Sequence, residues 1–177
     1  MKPWRDKMHH LGLDFPNLPY LIDGDVRLSE SKSIMKYLCR KHKPELLGRD
    51  AAEIATADMI SRVHDDLHAK LGAHCFKGGD TPELHSDLFN AATKLTSFLD
   101  RKEYAVGEQL TYADFSLFEL LDQMNYLSKG KTFNDFPTLQ SYYDRVRQLA
   151  GFKEFWEDDE KCPKKGFKPW FAVLGAL

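Results

Sequence analysis

Three places in this sequence carry residues whose types and spacing suit chemistry. Glu30-Ser31 stands just before a run with apolar residues at helical spacing. The free backbone N–H groups of a helix start suit an anion in general. The same two residues also serve as ordinary helix-capping residues. His64-Asp65-Asp66-Leu67-His68 sets two histidines one helical turn apart, the spacing of a zinc-binding pair. The residue after the first histidine is Asp rather than Glu, and no third ligand stands out. These positions therefore read as a solvated helix face, and no metal is expected. Cys39, Cys75 and Cys162 are too few and too scattered for a disulfide framework, which points to a reducing compartment. Cys75, at the end of a long helix, is expected to be buried. His9-His10 and Asp158-Asp159-Glu160-Lys161 read as solvated surface.

The elements that must position these residues follow from local pattern. Leu13 to Pro19 contains two prolines and an asparagine and reads as a loop. Tyr20-Leu21-Ile22 and Val26-Arg27-Leu28 read as strands joined at Asp23-Gly24-Asp25, a hairpin signal. Ile34, Met35, Tyr37 and Leu38 then recur at helical spacing, with Ser29 or Ser31 as the expected cap. The basic run from Lys36 to Lys43 suits the helix end, and Pro44 stops it. Beyond a linker at 45–50 the strand signals vanish. Ile60, Val63, Leu67 and Leu71 predict one stripe of a long helix over 51–75, closed by Lys77-Gly78-Gly79-Asp80. Pro82 opens a second, with Leu84, Leu88, Ala92, Leu95 and Leu99 inward. Thr111 and Asp114 form a capping signature for a third, with Leu110 able to staple to Phe115. A further helix follows Pro137, and 152–157 suits a short last one. The fold class is therefore α+β, mostly α: a ββα piece over 1–44 and an all-α domain over 45–177.

That small piece poses a physical difficulty, because a two-stranded hairpin with one helix has too little apolar area to stand alone in water. The helical domain must cover it, or further strands must come from residues not in this sequence or from another chain. Composition excludes other classes. Lys plus Arg number 25 against 27 Asp plus Glu, a net charge of −2, whereas nucleic-acid binding wants a basic excess. The longest apolar stretch is Trp170 to Leu177, far short of the roughly 20 residues of a membrane span. Met1 to His10 shows no apolar signal core, so a cytoplasmic location is expected, with an organelle or cytoskeletal assembly left open.

The segment from Leu11 to Gly24, LGLDFPNLPYLIDG, closely resembles the glutathione S-transferases, and the mu class in particular. The match runs on through Leu28 to Leu38, recurs at Asp58 to Phe76 and at Gly107 to Phe115, and ends at Asp135-Phe-Pro-Thr-Leu139. The resemblance implies that the 1–44 piece is the second half of a thioredoxin-like glutathione-binding domain, followed by that family's all-α C-terminal domain. It also implies that the first βαβα unit, with the tyrosine that stabilises the glutathione thiolate, has no counterpart here. Tyr20 lies in the strand after the proline loop and does not take that place.

The resemblance assigns roles residue by residue. Leu18-Pro19 matches a cis-proline turn that presents the Leu18 backbone to the cysteinyl group. Ser31 would take the γ-glutamyl carboxylate and Glu30 its ammonium. Trp4 and Asn17 match further glutathione contacts, while Met8 stands where a basic residue is expected and Lys7 is the nearest substitute. Asp66 matches an acid that reaches the glutathione of a neighbouring subunit. Phe76 stands where a substrate-assisting tyrosine is common and lacks its hydroxyl. Phe171 matches an aromatic of the electrophile pocket. Phe15 matches an aromatic key inserted into a partner, with Ile60, Val63, Leu88 and Ala92 as the expected lock. Glutathione is thus the implied ligand or cosubstrate, with no resident cofactor. A homodimer or other partner protein is implied through Phe15. Three readings follow: a glutathione transferase that is inactive as these 177 residues but conjugates glutathione to electrophiles if the full-length protein has the missing segment; a non-catalytic structural or scaffold subunit of a larger assembly that keeps the transferase fold; or a protein that holds glutathione or hydrophobic molecules without turnover.

Overall fold

In the computed structural model the described residues are 6–77 and 80–162, and their first full element is the expected hairpin. β1 (Tyr20–Asp23) pairs antiparallel with β2 (Val26–Ser29), Tyr20 opposite Ser29 and Asp23 opposite Val26. Gly24 therefore takes the first of the two loop positions. It holds φ at +60, a conformation that glycine adopts without steric cost.

α1 (Ser31–His42) follows directly, and its capping differs from the sequence expectation. Neither serine caps it: Glu30, at φ +69, is the residue before the first turn, and no side chain bonds to the free N–H groups. Ser29 instead donates its hydroxyl to the Phe15 carbonyl at 2.6 Å, which ties the proline loop to β2. Arg40, Lys41 and His42 occupy the last turn, where cations complement the helix dipole. Asp23 accepts from Tyr37 at 2.8 Å and from Lys41, fastening α1 to the hairpin turn. The expected linker begins as a 3-10 turn over Pro44–Leu47.

The helical domain comprises α2 (Ala51–Lys77), α3 (Pro82–Leu99), α4 (Tyr112–Leu127), α5 (Lys131–Asp135), α6 (Pro137–Arg147) and α7 (Phe152–Glu157). Thr81 caps α3 by accepting from the Leu84 N–H at 3.2 Å, and Pro82 takes the first turn, where a missing N–H costs nothing. Leu84, Leu88, Ala92, Leu95 and Leu99 are buried as their spacing predicts. α4 is apolar on most of its circumference and forms the centre of the core, packed by α2 and α6. Asp114 reaches back to the Thr111 N–H at 2.7 Å, as the capping signature implies. Phe118 stacks on Tyr143, their ring centroids 4.3 Å apart.

The stripe expected on α2 needs correction. Ile60 and Leu71 are buried, but Val63 is 44% exposed. The inward face runs instead through Ala57, Ile60, Ser61, His64, Leu71 and Cys75, a 3.6-residue period that includes polar members. An apolar-only reading could not see them. The helical domain does not lie directly over the hairpin; α1 packs on both strands on one side and on α4 on the other. Tyr20 and Ile22 on β1 stay 41% and 44% exposed, and among the described residues no third strand pairs with the hairpin. No helix among the described residues is long and apolar enough to cross a membrane.

Candidate functional site

The proline loop and the start of α1 come together through one asparagine. Asn17 Nδ2 donates to Glu30 Oε1 at 3.2 Å, while Asn17 Oδ1 accepts from the Leu18 N–H at 2.9 Å. The Leu18-Pro19 peptide is cis, as the motif implies. Four of the expected contact positions, Asn17, Leu18, Glu30 and Ser31, thus share one edge of the small unit. The Leu18 N–H is engaged by Asn17, so a ligand would take over that donor from a side chain.

Ser31 opens α1 and borders a groove of about 440 Å³. Glu30, Lys32 and Lys36 line it from α1 and its approach, and Asp58, Ser61, Arg62 and Asp65 from α2. Lys36 pairs with Asp58 at 2.8 Å, and Tyr112 donates to the same carboxylate. Burial opposes the Asp58 charge, but Lys36 and Tyr112 outweigh it and hold the carboxyl below its ordinary range. The groove is therefore lined by ionised groups of both signs, the surface that a zwitterionic ligand needs.

Beside it lies a second cavity of about 430 Å³, bounded by Lys32 and Met35 of α1, by His64, Asp65 and His68 of α2, and by Phe115, Ser116 and Glu119 of α4. The Lys32 ammonium donates to Ser116 Oγ at 2.9 Å and lies 3.3 Å from His64 Nδ1 and 3.6 Å from Asp65. Burial lowers the Lys32 pKa, partly offset by Asp65 and Glu119. Glu119 is held below the ordinary glutamate range: burial opposes its charge, and His64, His68 and Lys32 overcome that. His64 is 94% buried by side chain, the reverse of the solvated face expected from sequence. Among the described residues, no set of three His, Cys, Asp or Glu is arranged to hold a metal ion.

Other expectations fare unevenly. Trp4 and Phe171 lie outside the described residues, as does the side chain of Phe76. Asp66 projects from α2, 78% exposed and 3.7 Å from Arg62, and is not among the groove residues. Phe15 is 80% exposed, so it does not fold back on its own domain. Of the expected lock residues, Leu88 and Ala92 line a cavity of about 190 Å³ together with Phe89 and Phe136, Val63 faces outward from α2, and Ile60 is buried in the chain's own core. Lys32, Lys36, Asp58 and Glu119 went unread as site residues, and His64 and Asp65 were read as a solvated face, because their meeting joins three helices far apart in sequence. Four of the seven tyrosines donate to carboxylates: Tyr37 to Asp23, Tyr112 to the groove residue Asp58, Tyr142 to Asp114 and Tyr143 to Asp122. Burial, then the neighbouring carboxylates, raises the Tyr112 and Tyr143 pKa values.

Comparison with known proteins supplies the remaining facts. The sequence model of the family described as "Glutathione S-transferase, C-terminal domain" matches residues 65–159. The chain is 33% identical over 176 residues to a class-mu 26 kDa glutathione S-transferase isozyme of Fasciola hepatica, covering 97% of this chain and 78% of that one. It is 30% identical over 162 residues to human glutathione S-transferase Mu 3, covering 90% and 71%. Among solved structures it is similar to the glutathione S-transferase Blo t 8, with TM-score 0.73, 28% identity, and coverage of 90% and 77%. It is also similar to a pi-class glutathione S-transferase of Onchocerca volvulus, with TM-score 0.75, 25% identity, and coverage of 92% and 79%.

Proposed function

The chain belongs to the glutathione S-transferase family, and on that premise we propose that it binds glutathione at the edge formed by Asn17, Leu18, Pro19, Glu30 and Ser31. One observation carries the reading: Asn17 couples the cis-proline loop to Glu30, directly beside the Ser31 helix start. In this reading the γ-glutamyl carboxylate accepts from Ser31 and the first-turn N–H groups of α1, and Glu30 accepts from its ammonium. The Leu18 backbone receives the cysteinyl unit, and Trp4 contributes at the glycine end. Asp66 acts towards a second copy, and Phe76 and Phe171 line an electrophile pocket.

The 177 residues by themselves hold glutathione without conjugating it. Thiol activation needs a hydroxyl that donates to sulfur. The Tyr37 hydroxyl of α1 and the Tyr112 hydroxyl beside the groove donate to carboxylates instead. A free thiol of pKa about 8.5 is then mostly protonated at neutral pH. Such residues suit a structural or glutathione-holding member of the family and equally a transferase whose thiol-activating segment is not among them. Association through Phe15, with a second copy of this chain as partner, and a cytoplasmic setting suited to the buried thiols Cys39 and Cys75 complete the proposal.

Calorimetry with glutathione tests it. The wild type gives saturable heat. Ser31→Ala loses about 1.5–3 kcal/mol, the worth of a hydrogen bond to a charged group. Neither protein turns over an aryl halide above background. Equal affinity in Ser31→Ala would reduce Ser31 to a structural residue, and robust turnover would refute the non-catalytic reading.

A further inference from the structure

His64 Nδ1 faces two groups that make opposite demands. The Lys32 ammonium, 3.3 Å away, can only donate; the Asp65 carboxylate, 3.0 Å away, can only accept. One nitrogen cannot satisfy both in one protonation state. With its proton on Nε2, the neutral ring accepts from Lys32 at Nδ1. A neutral ring with its proton on Nδ1 donates to Asp65 but leaves Nε2, an acceptor, facing the Glu119 carboxylate; only with both nitrogens protonated do N–H groups face Asp65 and Glu119 together. The far nitrogen, Nε2, is buried without a hydrogen-bond partner, and its nearest carboxylate oxygen, Glu119 Oε2, stands 3.6 Å away. The other charged or titratable neighbours are His68, stacked at 5.4 Å between ring centroids, and Arg62, 3.2 Å from Asp65. Lys36, the next lysine on α1, is engaged by Asp58.

We propose that His64 is a proton-operated positioning residue for the Ser31 end of α1, acting through Lys32; the proposal rests on the glutathione reading of that site. In the neutral state Lys32, the residue next to Ser31, ties the first turn of α1 to α4 through Ser116 and to α2 through His64. When His64 takes a proton from solvent, its N–H groups turn to Asp65 and Glu119, and an imidazolium then confronts an ammonium. Burial already disfavours the Lys32 charge, so a second cation beside it drives the lysine out of the seam. The helix start that receives the γ-glutamyl carboxylate loses its tie to the helical domain, and glutathione is held more weakly in acid.

The unliganded, isotope-labelled chain is titrated by NMR from about pH 8 to about pH 5, the span in which imidazoles as a class change charge. The Ser31 amide and Lys32 side-chain signals move together with the His64 ring. In His64→Gln the Ser31 response is lost. Glutathione affinity by calorimetry falls about five- to tenfold across the span in the wild type, the worth of one hydrogen bond, and stays level in His64→Gln. A Ser31 response unchanged in His64→Gln, a His64 ring that titrates without moving Lys32 and Ser31, or a wild-type affinity level with pH would each overturn the inference. Lys32→Met gives a second route should His64→Gln not fold: its His64 ring titrates at higher pH than in the wild type, and an unmoved midpoint overturns the coupling. If glutathione fails to bind at every pH while Ser31 and Lys32 still follow His64, the glutathione reading falls and the proton-operated tie stands.

Discussion

Asp114 is fully buried, and its carboxylate collects the Thr111 N–H at 2.7 Å, the Ala105 N–H at 2.7 Å and the Tyr142 hydroxyl. Burial raises its pKa against the pull of these donors. Asp114→Ala therefore removes more than a cap. It strands two backbone N–H groups in an apolar core, each costing about 1–3 kcal/mol. The expected loss is about 2–6 kcal/mol, read as a lower urea midpoint at unchanged slope. A loss under about 1 kcal/mol would mean that Asp114 is replaceable by solvent. Half of this cluster was legible, because Thr111 and Asp114 are three residues apart. Ala105 and Tyr142 arrive from elsewhere in the chain, and no local pattern announces them.

At the scale of elements, α3 shows how a boundary can be read and tested. Thr81 and Pro82 are the ordinary chemistry of a helix start, and the Leu84 N–H bond to Thr81 realises it. Thr81→Ala is expected to cost about 1 kcal/mol in chemical denaturation; no change would assign the start to Pro82 alone. α1 teaches the opposite lesson. Its serines look like caps, but Ser29 is spent on holding the Phe15 carbonyl, and Glu30 enters the helix at positive φ. That leaves the first-turn N–H groups without a side-chain cap, which is what a carboxylate-binding helix start requires.

For the whole molecule, two expectations follow from surface and charge. Phe15 stands 80% exposed, and burying such a side chain in a partner yields roughly 1.5–3 kcal/mol. Sedimentation is expected to show self-association in the wild type that weakens in Phe15→Ala; a monomer in both would remove Phe15 from any homodimer. Acid is expected to destabilise the fold. Asp58, Asp65, Asp87 and Glu119 all have pKa values below their ordinary ones. The unfolded chain, with carboxyl pKa values near 4, then binds more protons than the folded chain. Their stabilisation is complete above about pH 4 and is lost as pH falls through the folded-state values. Asp114, with a raised pKa, acts in the opposite sense but is outnumbered, since Asp23, Glu53, Asp80 and Asp158 are also held low by their hydrogen-bond partners. Urea unfolding at pH 3 and pH 6 checks the sign, and greater stability at pH 3 would contradict it.

What the sequence determined by itself was everything written in short-range pattern. The hairpin about Gly24, the helices opening at Pro82 and Pro137, the Thr111–Asp114 signature and the LPYLIDG stretch that carries the family resemblance each lie within a few residues. Only the tertiary structure decided which polar residues are interior. Val63 and His64 are neighbours on one helix, and hydropathy places the first inside and the second outside. The structure reverses them, because α1 and α4 bring Lys32, Ser116 and Glu119 to His64 and so satisfy or confront its ring. Burying a polar group is tolerable only where partners meet it, and those partners come from helices whose separation in sequence hides the meeting.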